Sequence, residues 1–534
     1  MKKVKKRLEI NEKGITLIVL AITIIVLLIL SGVSIATLTG ESGILNVANS
    51  AKIETALGTV KEQLNLLQAE KRIKEEKVTP ESLLAEGKIK RTVQMGENDQ
   101  YYMYYAIKEN SFEGMQGLGK GDLTSLQDVF LIDDNLNVKY IAINGEEYGD
   151  EIKEKILEDE TEIRFSSKVF SEYISKISGI AEEEMKFKWM KNQTSLIISD
   201  PLIESLQDLV FFPNLETLML EHLQLENLQG IENCTKLRTF TKRWGTDIKD
   251  YSELSKLNNL ETISLNQGNN EDFNNLINSI EKVLSLKTLL IEDCYSFKGK
   301  NLSSIGKLKN IETLNIIRMP FSNLNGIEKL VNLKKLSINQ NMSLVSIQGI
   351  KNLINLQELE ITNTKVENVE EISKLTKLTK LDLRNNNITD ITPLSNNIEL
   401  ISLDLRGNKN IDANRENYTG EKLENLNKIG EILERNGTIY LDIDKLKLFN
   451  NYKKLDLSNQ NLVTLDALEG LVELEYLNLS GNKLTLQDKN SRMILSSFTN
   501  LNYLDITRNQ ITDISCISNL KKIRRLFSSG RKYF

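Results

Sequence analysis

The chain has 534 residues, of which 40% are hydrophobic and 27% charged, a balance typical of a folded protein rather than a disordered one. Its net charge of −6 is unevenly placed, with +4 on the first fourteen residues and about −10 on the remainder. That distribution disfavours a nucleic acid as the main partner. Cys234, Cys294 and Cys516 are widely scattered, so we expect buried free thiols rather than a disulfide framework or a metal site.

The first feature in chain order is an uncharged stretch from Gly14 to Gly40, preceded by a basic cluster. About 20 apolar residues suffice for a helix to cross a bilayer. We therefore predict a basic leader at 1–14 and a transmembrane helix at 15–40. Basic flanks stay on the cytoplasmic side, which places the rest of the chain outside the cell.

The stretch "GITLIVLAITIIVLLILSGVSIATL" resembles the N-terminal signal of type IV prepilins and pseudopilins. The resemblance implies that a prepilin peptidase cuts after Gly14 and methylates Ile15, and that pilus or pseudopilus subunits are partners. Val19 departs from the family, which has a glutamate at this position that helps to register subunits in the fibre. A conventional signal-peptide cut near residues 34–36 is an alternative, and so is an uncleaved anchor.

Residues 41–150 predict a long helix followed by a small antiparallel sheet, the order of elements found in pilins. A second short helix begins at Thr79-Pro80. The runs "QYYMYYAIKE" and "DVFLIDDNLNVKYIAING" predict strands, with a hairpin turn at 133–135. We expect a linker at 151–164. The apolar stripe of the long helix consists of Ile53, Leu57, Val60, Leu64 and Leu67.

Internal repeats dominate the remainder of the chain. "LTKLDLRNNNITDITPLSNNIE", which begins at Leu378, and "LNYLDITRNQITDISCISNLKK", which begins at Leu501, share the pattern L-x-x-L-x-L-x-x-N. Thirteen such units, most often 22 residues apart, predict a leucine-rich-repeat solenoid over 193–522. In each unit we expect a short strand with its leucines inward, an asparagine amide bonded to the backbone of adjacent turns, and an extended or 3₁₀ return segment.

The repeat length and motifs such as "NNITDITPLSNN" resemble the internalin-type bacterial leucine-rich repeats, over about 165–534. The resemblance implies a helical N-terminal cap, here at 165–192 with a break at Gly179. We further predict a helical insertion at about 410–451 and a short C-terminal cap at 523–534. Since no sortase signal or immunoglobulin-like domain is recognisable after the repeats, the N-terminal helix is the expected anchor.

The predicted fold class is therefore α+β. It is a curved leucine-rich-repeat solenoid with short parallel strands on its concave face, preceded by a long transmembrane helix and a small pilin-like α+β module.

No pattern typical of an active centre is present. The single histidine, His222, lies at an outward position without triad spacing, and there is no phosphate-binding loop. We expect no enzyme activity, catalytic residue, cofactor or metal. The concave face is the usual binding surface of a solenoid, and exposed aromatic and arginine side chains dominate protein–protein hot spots. The candidate ligand contacts are Met219, Arg243, Trp244, Ile317, Tyr476 and Tyr503.

These features predict a membrane- or pilus-anchored extracellular protein that mediates adhesion or surface recognition of a protein or glycan through its concave face. It would cross the cell membrane once, with its N-terminus in the cytoplasm. The alternative is a minor pilin or pseudopilin, a structural subunit of a type IV pilus or type II secretion-like system, which carries the repeats as an appended module.

Overall fold

A computed structural model describes residues 44–96, 100–121, 123, 126–299, 301–435 and 441–528. The chain folds into two compact units: one extends to Lys191 and includes Gln207–Pro213, and the other contains Asn192–Leu206 and the chain from Asn214 onward. The predicted leader, transmembrane helix, Gly14, Ile15 and the end of the predicted C-terminal cap lie outside the described residues. Within those residues, no helix is both long and apolar enough to span a membrane.

The first unit contains a six-stranded antiparallel sheet and two helices at its start, α1 (Ile44–Ile73) and α2 (Pro80–Ala85). The strands are β1 Ile89–Met95, β2 Tyr101–Ile107, β3 Val129–Ile132, β4 Val138–Ile141, β5 Glu147–Gly149 and β6 Lys155–Leu157. Strands β1 to β5 are neighbours in sequence order, and β6 pairs with β2. The predicted antiparallel α+β module is confirmed.

Helix α1 packs one face against β4 and β5. Four residues of its predicted stripe are buried, and Leu67 is half-buried. Helix α2 begins at a capping box, in which the hydroxyl of Thr79 accepts the backbone N–H of Ser82 at 3.2 Å and the hydroxyl of Ser82 accepts that of Thr79 at 2.9 Å.

The segment 151–164, expected to be a linker, is part of the folded unit. Strand β6 lies within it and pairs antiparallel with β2. The backbone N–H of Ile163 donates to the carbonyl of Met185 at 3.0 Å. Few apolar residues mark this segment, so its hydrophobic pattern is too weak to predict a strand.

The helical segment expected as the cap contains α3 (Lys168–Ser178) and α4 (Phe187–Lys191). Gly179 ends α3 in the left-handed conformation, with φ of 70°. Phe170 and Ile174 are buried as the spacing predicts, but Ile177 is 44% exposed.

A buried carboxylate connects this helical segment to the sheet. Asp208 accepts the backbone N–H groups of Ser166 and Ser167 and lies 3.5 Å from Arg91 on β1. Burial raises the pKa of Asp208, and the hydrogen bonds from the two serines oppose that rise. The segment expected as a cap and the α+β module therefore form one compact unit.

The second unit is a leucine-rich-repeat solenoid, as predicted. Its first strands are β7 Ser195–Ile198, β8 Thr217–Leu220, β9 Gln224–Leu225, β10 Thr239–Lys242, β11 Asp247–Ile248, β12 Thr262–Asn266, β13 Thr288–Glu292 and β14 Thr313–Ile317. The others are β15 Lys335–Asn339, β16 Glu358–Thr362, β17 Lys380–Asp382, β18 Ser402–Asp404, β19 Lys454–Asp456, β20 Tyr476–Asn478, β21 Tyr503–Asp505 and β22 Arg525–Phe527. All but β9 and β11 belong to a ten-stranded sheet, β7 to β18, and a four-stranded sheet, β19 to β22; both sheets are parallel.

Inward side chains of consecutive strands are in register and form a continuous apolar column. The column starts at Leu218 on β8, passes through Phe240 and Ile263, and continues to Leu403 on β18. Each of these four side chains is fully buried. A single repeat cannot bury its leucines alone, so the stacking of repeats creates the core.

The predicted asparagine contacts are present. The side-chain amide of Asn408 donates to the carbonyl of Leu383 in the preceding repeat and to that of Leu405 in its own, each at 2.8 Å. Asn341, Asn386, Asn482 and Asn509 make the equivalent pairs of bonds. One side chain thus pairs carbonyl groups that the turn would otherwise leave buried without a donor.

Most return segments are 3₁₀ turns, as predicted, but two repeats contain α-helices that the sequence analysis missed. These are α5 (Asn270–Ile280) and α7 (Lys489–Ser497). The predicted insertion contains α6 (Glu421–Arg435), which buries Leu426, Ile429 and Leu433. Helix α6 contacts the 3₁₀ turn at Thr392–Asn396 and strand β18, so it packs on the solenoid as a structural element.

Gly407 occupies the left-handed turn position, with φ of +79°, that Asn363 and Asn385 occupy in the two preceding repeats. A Cβ at residue 407 would lie 2.1 Å from the side-chain oxygen of Asn385. A larger residue there would therefore require the Asn385 side chain to move, whereas glycine needs no such change.

Replacement of Asn386 by alanine is expected to destabilise the solenoid by about 2–4 kcal/mol, because each buried acceptor left without a donor costs about 1–3 kcal/mol. The side-chain amide of Asn386 donates to Ile361 at 2.6 Å and to Leu383 at 2.9 Å. Urea denaturation followed by circular dichroism measures the change. The control, Asn352→Ala, removes an exposed asparagine of a 3₁₀ turn and should stay within about 0.5 kcal/mol of wild type. Equal stability of the two variants would contradict this role of Asn386.

Candidate functional site: the outward face of the repeat sheets

The outward face consists of the strand side chains that point away from the leucine core. In the ten-stranded sheet they form rows that cross neighbouring strands at one side chain every ~4.8 Å. One row holds the consecutive threonines Thr217, Thr239, Thr262, Thr288 and Thr313, all half-buried. The next row contains Met219 on β8 and Leu290 on β13. The face is thus a regular array of short polar side chains with separate larger groups.

On the later strands, acidic and basic side chains pair with one another. Arg384 forms an ion pair with Asp382 at 2.7 Å, and Arg406 forms one with Asp404 at 2.6 Å. Arg384 also approaches Asp404 to 3.5 Å, and the carboxylate of Asp382 raises the pKa of Arg384. The charges of these arginines and aspartates are therefore largely neutralised within the protein, which leaves them less available to pair with a ligand.

Arg243 and Trp244 lie in the turn that follows β10, rather than on the strand as the repeat alignment predicted. The strand ends at Lys242, in register with Leu220 at the end of β8, so Arg243 and Trp244 correspond to Glu221 and His222, which also follow their strand. The left-handed turn position is at Gly245, with φ of +65°, one residue later than His222 in the preceding repeat, with φ of 58°. The guanidinium carbon of Arg243 lies 5.7 Å from the Trp244 ring centroid, and Arg243 pairs with Glu221 at 3.4 Å. Trp244 remains 48% exposed.

The two predicted apolar contacts lie apart. Met219 on β8 and Ile317 on β14 are separated by four strand steps, about 19 Å. Each has an apolar companion that the sequence analysis did not select: Ile197, in register with Met219 and 49% exposed, and Leu290, on the strand beside Ile317. In the sequence, Ile197 and Leu290 alternate with inward leucines. Aliphatic side chains are too common on strands for this alternation to mark them as ligand contacts.

Tyr476 and Tyr503 form the most compact group on the outward face. They lie directly opposite each other on β20 and β21, with ring centroids 4.1 Å apart and ring planes 14° from parallel. Phe527 on β22 extends the group, 5.5 Å from Tyr503 and 45% exposed. Phe527 was missed because its repeat, at the end of the series, lacks the full consensus.

The six predicted contacts therefore do not converge on one site. The structure brings together Arg243 with Trp244, and Tyr476 with Tyr503, while Met219 and Ile317 stand separately. Two clusters on different parts of the repeat surface are suited to an extended partner, because no single enclosed pocket contains both.

A buried polar cluster lies behind the face, and the sequence analysis missed it. Lys242 occupies an inward position of β10, between Leu220 and Leu265 in the sheet. Its Nζ lies 2.5 Å from a carboxylate oxygen of Asp272, in the first turn of α5, and both side chains are at most 3% exposed. The hydroxyl of Tyr251 donates to the other carboxylate oxygen. The signal in the sequence was a lysine in "LRTFTK" where the repeat requires a leucine.

In the described part of the chain, no three His, Cys, Asp or Glu side chains are grouped to hold a metal ion. A polar cleft of about 380 Å³ is lined by lysine and amide side chains around Glu312, which pairs with Lys334 at 2.6 Å and Lys287 at 3.4 Å. The three cysteines form no disulfide; Cys234 and Cys294 are buried and Cys516 is half-buried.

No protein-family model matches this chain, and no curated protein matches it. Solved structures do. An internalin of Listeria monocytogenes is 19% identical, with 69% of this chain and 96% of that chain covered and a TM-score of 0.35. Internalin C2 of the same organism is 19% identical, with 45% of this chain and 94% of that chain covered and a TM-score of 0.32. A leucine-rich-repeat protein of Leptospira interrogans is 21% identical, with 64% of this chain and 86% of that chain covered and a TM-score of 0.34. At these TM-scores, the leucine-rich-repeat fold rests on this chain's own strands, register and asparagine contacts.

The contact between the two tyrosines should shift the pH at which Tyr476 ionises. Burial, together with the hydrogen bond to Tyr503, raises the pKa of Tyr476 to about 12, so its hydroxyl should remain protonated at about pH 11, above the ordinary tyrosine value of about 10. The neutral form contributes stability below pH 10, which is lost as the pH rises towards 12. ¹³C NMR of labelled tyrosine, assigned with Tyr476→Phe, measures the midpoint. Tyr503→Phe should lower it, and a midpoint near 10 in wild type would contradict the stacked arrangement.

Proposed function

We propose that this protein is an extracellular binding protein, held at the membrane or in a pilus by its N-terminal segment, that uses the outward face of its repeats for adhesion or surface recognition. The observation that carries the proposal is the cluster of Tyr476, Tyr503 and Phe527. Aromatic side chains held rigidly by a sheet offer a large contact area and lose little conformational freedom on binding.

The geometry of this cluster favours a protein partner over a glycan. A sugar binds aromatic residues by stacking on an open ring face. Tyr476 and Tyr503 each cover one face of the other ring, with centroids 4.1 Å apart, and Phe527 lies 5.5 Å from Tyr503 on the next strand. The cluster therefore offers mainly ring edges and hydroxyl groups at its centre. Those groups suit the polar and apolar side chains of a protein.

The dimensions of the outward face also fit a protein interface. Ten strands give nine steps of ~4.8 Å, or about 43 Å. With two or three outward side chains per strand, the ten-stranded sheet offers about 600–900 Å², comparable to the ~800 Å² that each partner contributes to a standard interface. Because the arginines of the later strands already pair with aspartates, we expect the aromatic clusters to supply most of the affinity.

Binding can be tested by screening the purified protein against arrays of extracellular proteins and of glycans. We expect a protein ligand whose Kd rises at least about 30-fold in Tyr503→Ala, the loss of about 2 kcal/mol typical of a hot spot. Trp244→Ala tests the second cluster in the same way. The matched control is Ile354→Ala, which removes an exposed apolar side chain, 57% accessible, from a turn outside the strands. An affinity unchanged in both aromatic variants would remove this face as the binding site.

The alternative function is that of a minor pilin or pseudopilin that carries the repeats as an appended module. Its support is the N-terminal sequence around Gly14 and Ile15, together with helix α1, which leads into the antiparallel sheet. Val19, where pilins have a glutamate, weighs against assembly into a fibre, since the carboxylate that helps to register subunits is missing.

Mass spectrometry of the mature N-terminus distinguishes these possibilities. A chain that begins with methylated Ile15 supports prepilin processing, whereas an intact Met1 or a cut near residues 34–36 contradicts it. Protease added to intact cells should degrade the repeats if they face outward. Repeats that are cleaved only after lysis would contradict the extracellular placement.

A further inference from the structure

The buried polar cluster of Lys242, Asp272 and Tyr251 has no role in the outward face. We propose that Lys242 and Asp272 are joined by an intramolecular amide bond, formed by the protein itself between Nζ of the lysine and Cγ of the aspartate. This inference concerns the interior of the solenoid and is independent of the proposed binding function.

The first support is the position of the two groups. Nζ of Lys242 lies 2.5 Å from Oδ2 of Asp272, and the lysine is fixed on β10 while the aspartate is fixed on the first turn of α5. Their contact spans two successive repeats. Groups held in contact by a rigid scaffold react far faster than the same groups in solution, because the entropy loss of bringing them together has already occurred on folding.

The second support is the environment. Lys242 is 3% exposed and Asp272 is 2% exposed, between leucines of the neighbouring strands and beside the fully buried Phe240 and Phe273. Within the described residues, the ammonium has a single acceptor, although it offers three donors. A buried charge with so few partners is unfavourable, and formation of an amide would remove both charges from the interior.

The third support is Tyr251, which can stabilise the charge that develops during the reaction. Its fully buried hydroxyl donates to Oδ1 of Asp272, the oxygen that becomes negative when the amine adds to Cγ. A donor already aimed at this oxygen needs no reorganisation during the reaction. The neighbouring thiol of Cys294 competes poorly with the lysine amine as a nucleophile towards Asp272. Burial raises the pKa of Cys294 to about 11, which keeps the thiol protonated.

The reaction balances without any other reactant. In the first step one proton passes from the ammonium of Lys242 to Oδ2 of Asp272, 2.5 Å away. The amine then adds to Cγ, which forms the N–C bond and places negative charge on Oδ1. A proton then passes from the nitrogen to the Oδ2 hydroxyl. The Cγ–Oδ2 bond breaks, the Oδ1 carbonyl re-forms and Oδ2 leaves as water. The product is a secondary amide, and the chain is lighter by one water molecule.

Tryptic peptide mapping of the whole purified protein tests the proposal, and it does not depend on how the N-terminus is processed. An acylated lysine resists trypsin, so we expect peptide 239–243 joined to peptide 257–282, at their summed mass less one water. Recovery of peptide 239–242 free, with 257–282 unmodified, would overturn the proposal and leave the contact as an ion pair only.

Three variants sharpen the test. Lys242→Arg keeps a cation beside Asp272 but cannot form this amide, so the joined peptides should disappear. Asp272→Asn removes the carboxylate that takes the proton from the ammonium, so the joined fraction should fall; any joined product has the same mass as in wild type, because ammonia is released instead of water. Tyr251→Phe should lower the joined fraction in freshly synthesised protein. Joined peptides that persist in Lys242→Arg would show that another group is linked and contradict the assignment.

Discussion

The structure depends on one constraint: no repeat can bury its own leucines or pair its own turn carbonyls. The inward column from Leu218 to Leu403 is buried because neighbouring strands cover one another and helix α6 packs against the last strand, β18. The amide of Asn408 serves two successive repeats at once, through Leu383 and Leu405. Stability is therefore a property of the stack, and each interface between repeats contributes to it.

Because the core lies on the inward side of the strands, the outward side chains can vary more freely, as the proposed role in recognition requires. The clearest evidence is their diversity at equivalent positions, where threonines, ion pairs and tyrosines follow one another on the same backbone. The inward positions, by contrast, are nearly uniform. Lys242 is the exception, and a charged group in such a column needs a specific partner, which Asp272 provides.

Periodicity predicted most of the fold. The L-x-x-L-x-L spacing located the strands, the asparagines located the turns, and the stripe at Ile53, Leu57, Val60 and Leu64 located the buried face of α1. What it could not predict was long-range pairing. The pairing of β6 with β2 and the contact of Arg91 with Asp208 join segments more than fifty residues apart, and no local pattern encodes them.

The candidate site was predicted only in part, for a similar reason. The stack of Tyr476 on Tyr503 follows directly from repeat register. Trp244 was misplaced because β10 ends at Lys242, two residues before it, and the repeat pattern does not mark where a strand ends. The partnership of Lys242 with Asp272 depended on α5, a helix that replaces the usual 3₁₀ turn.

Hydroxyl-radical footprinting of the protein, alone and with its bound protein partner, tests the central claim most directly, because the chain has oxidisable side chains at and away from the proposed binding surface. Tyr476, Tyr503 and Phe527 lie on the outward face, and Trp244 lies in the turn after β10. Met493 lies on helix α7, away from the strands, and is 58% exposed. Binding is expected to protect the aromatic side chains and to leave Met493 reactive. Protection of Met493 with unchanged oxidation of the aromatic side chains would contradict this binding surface.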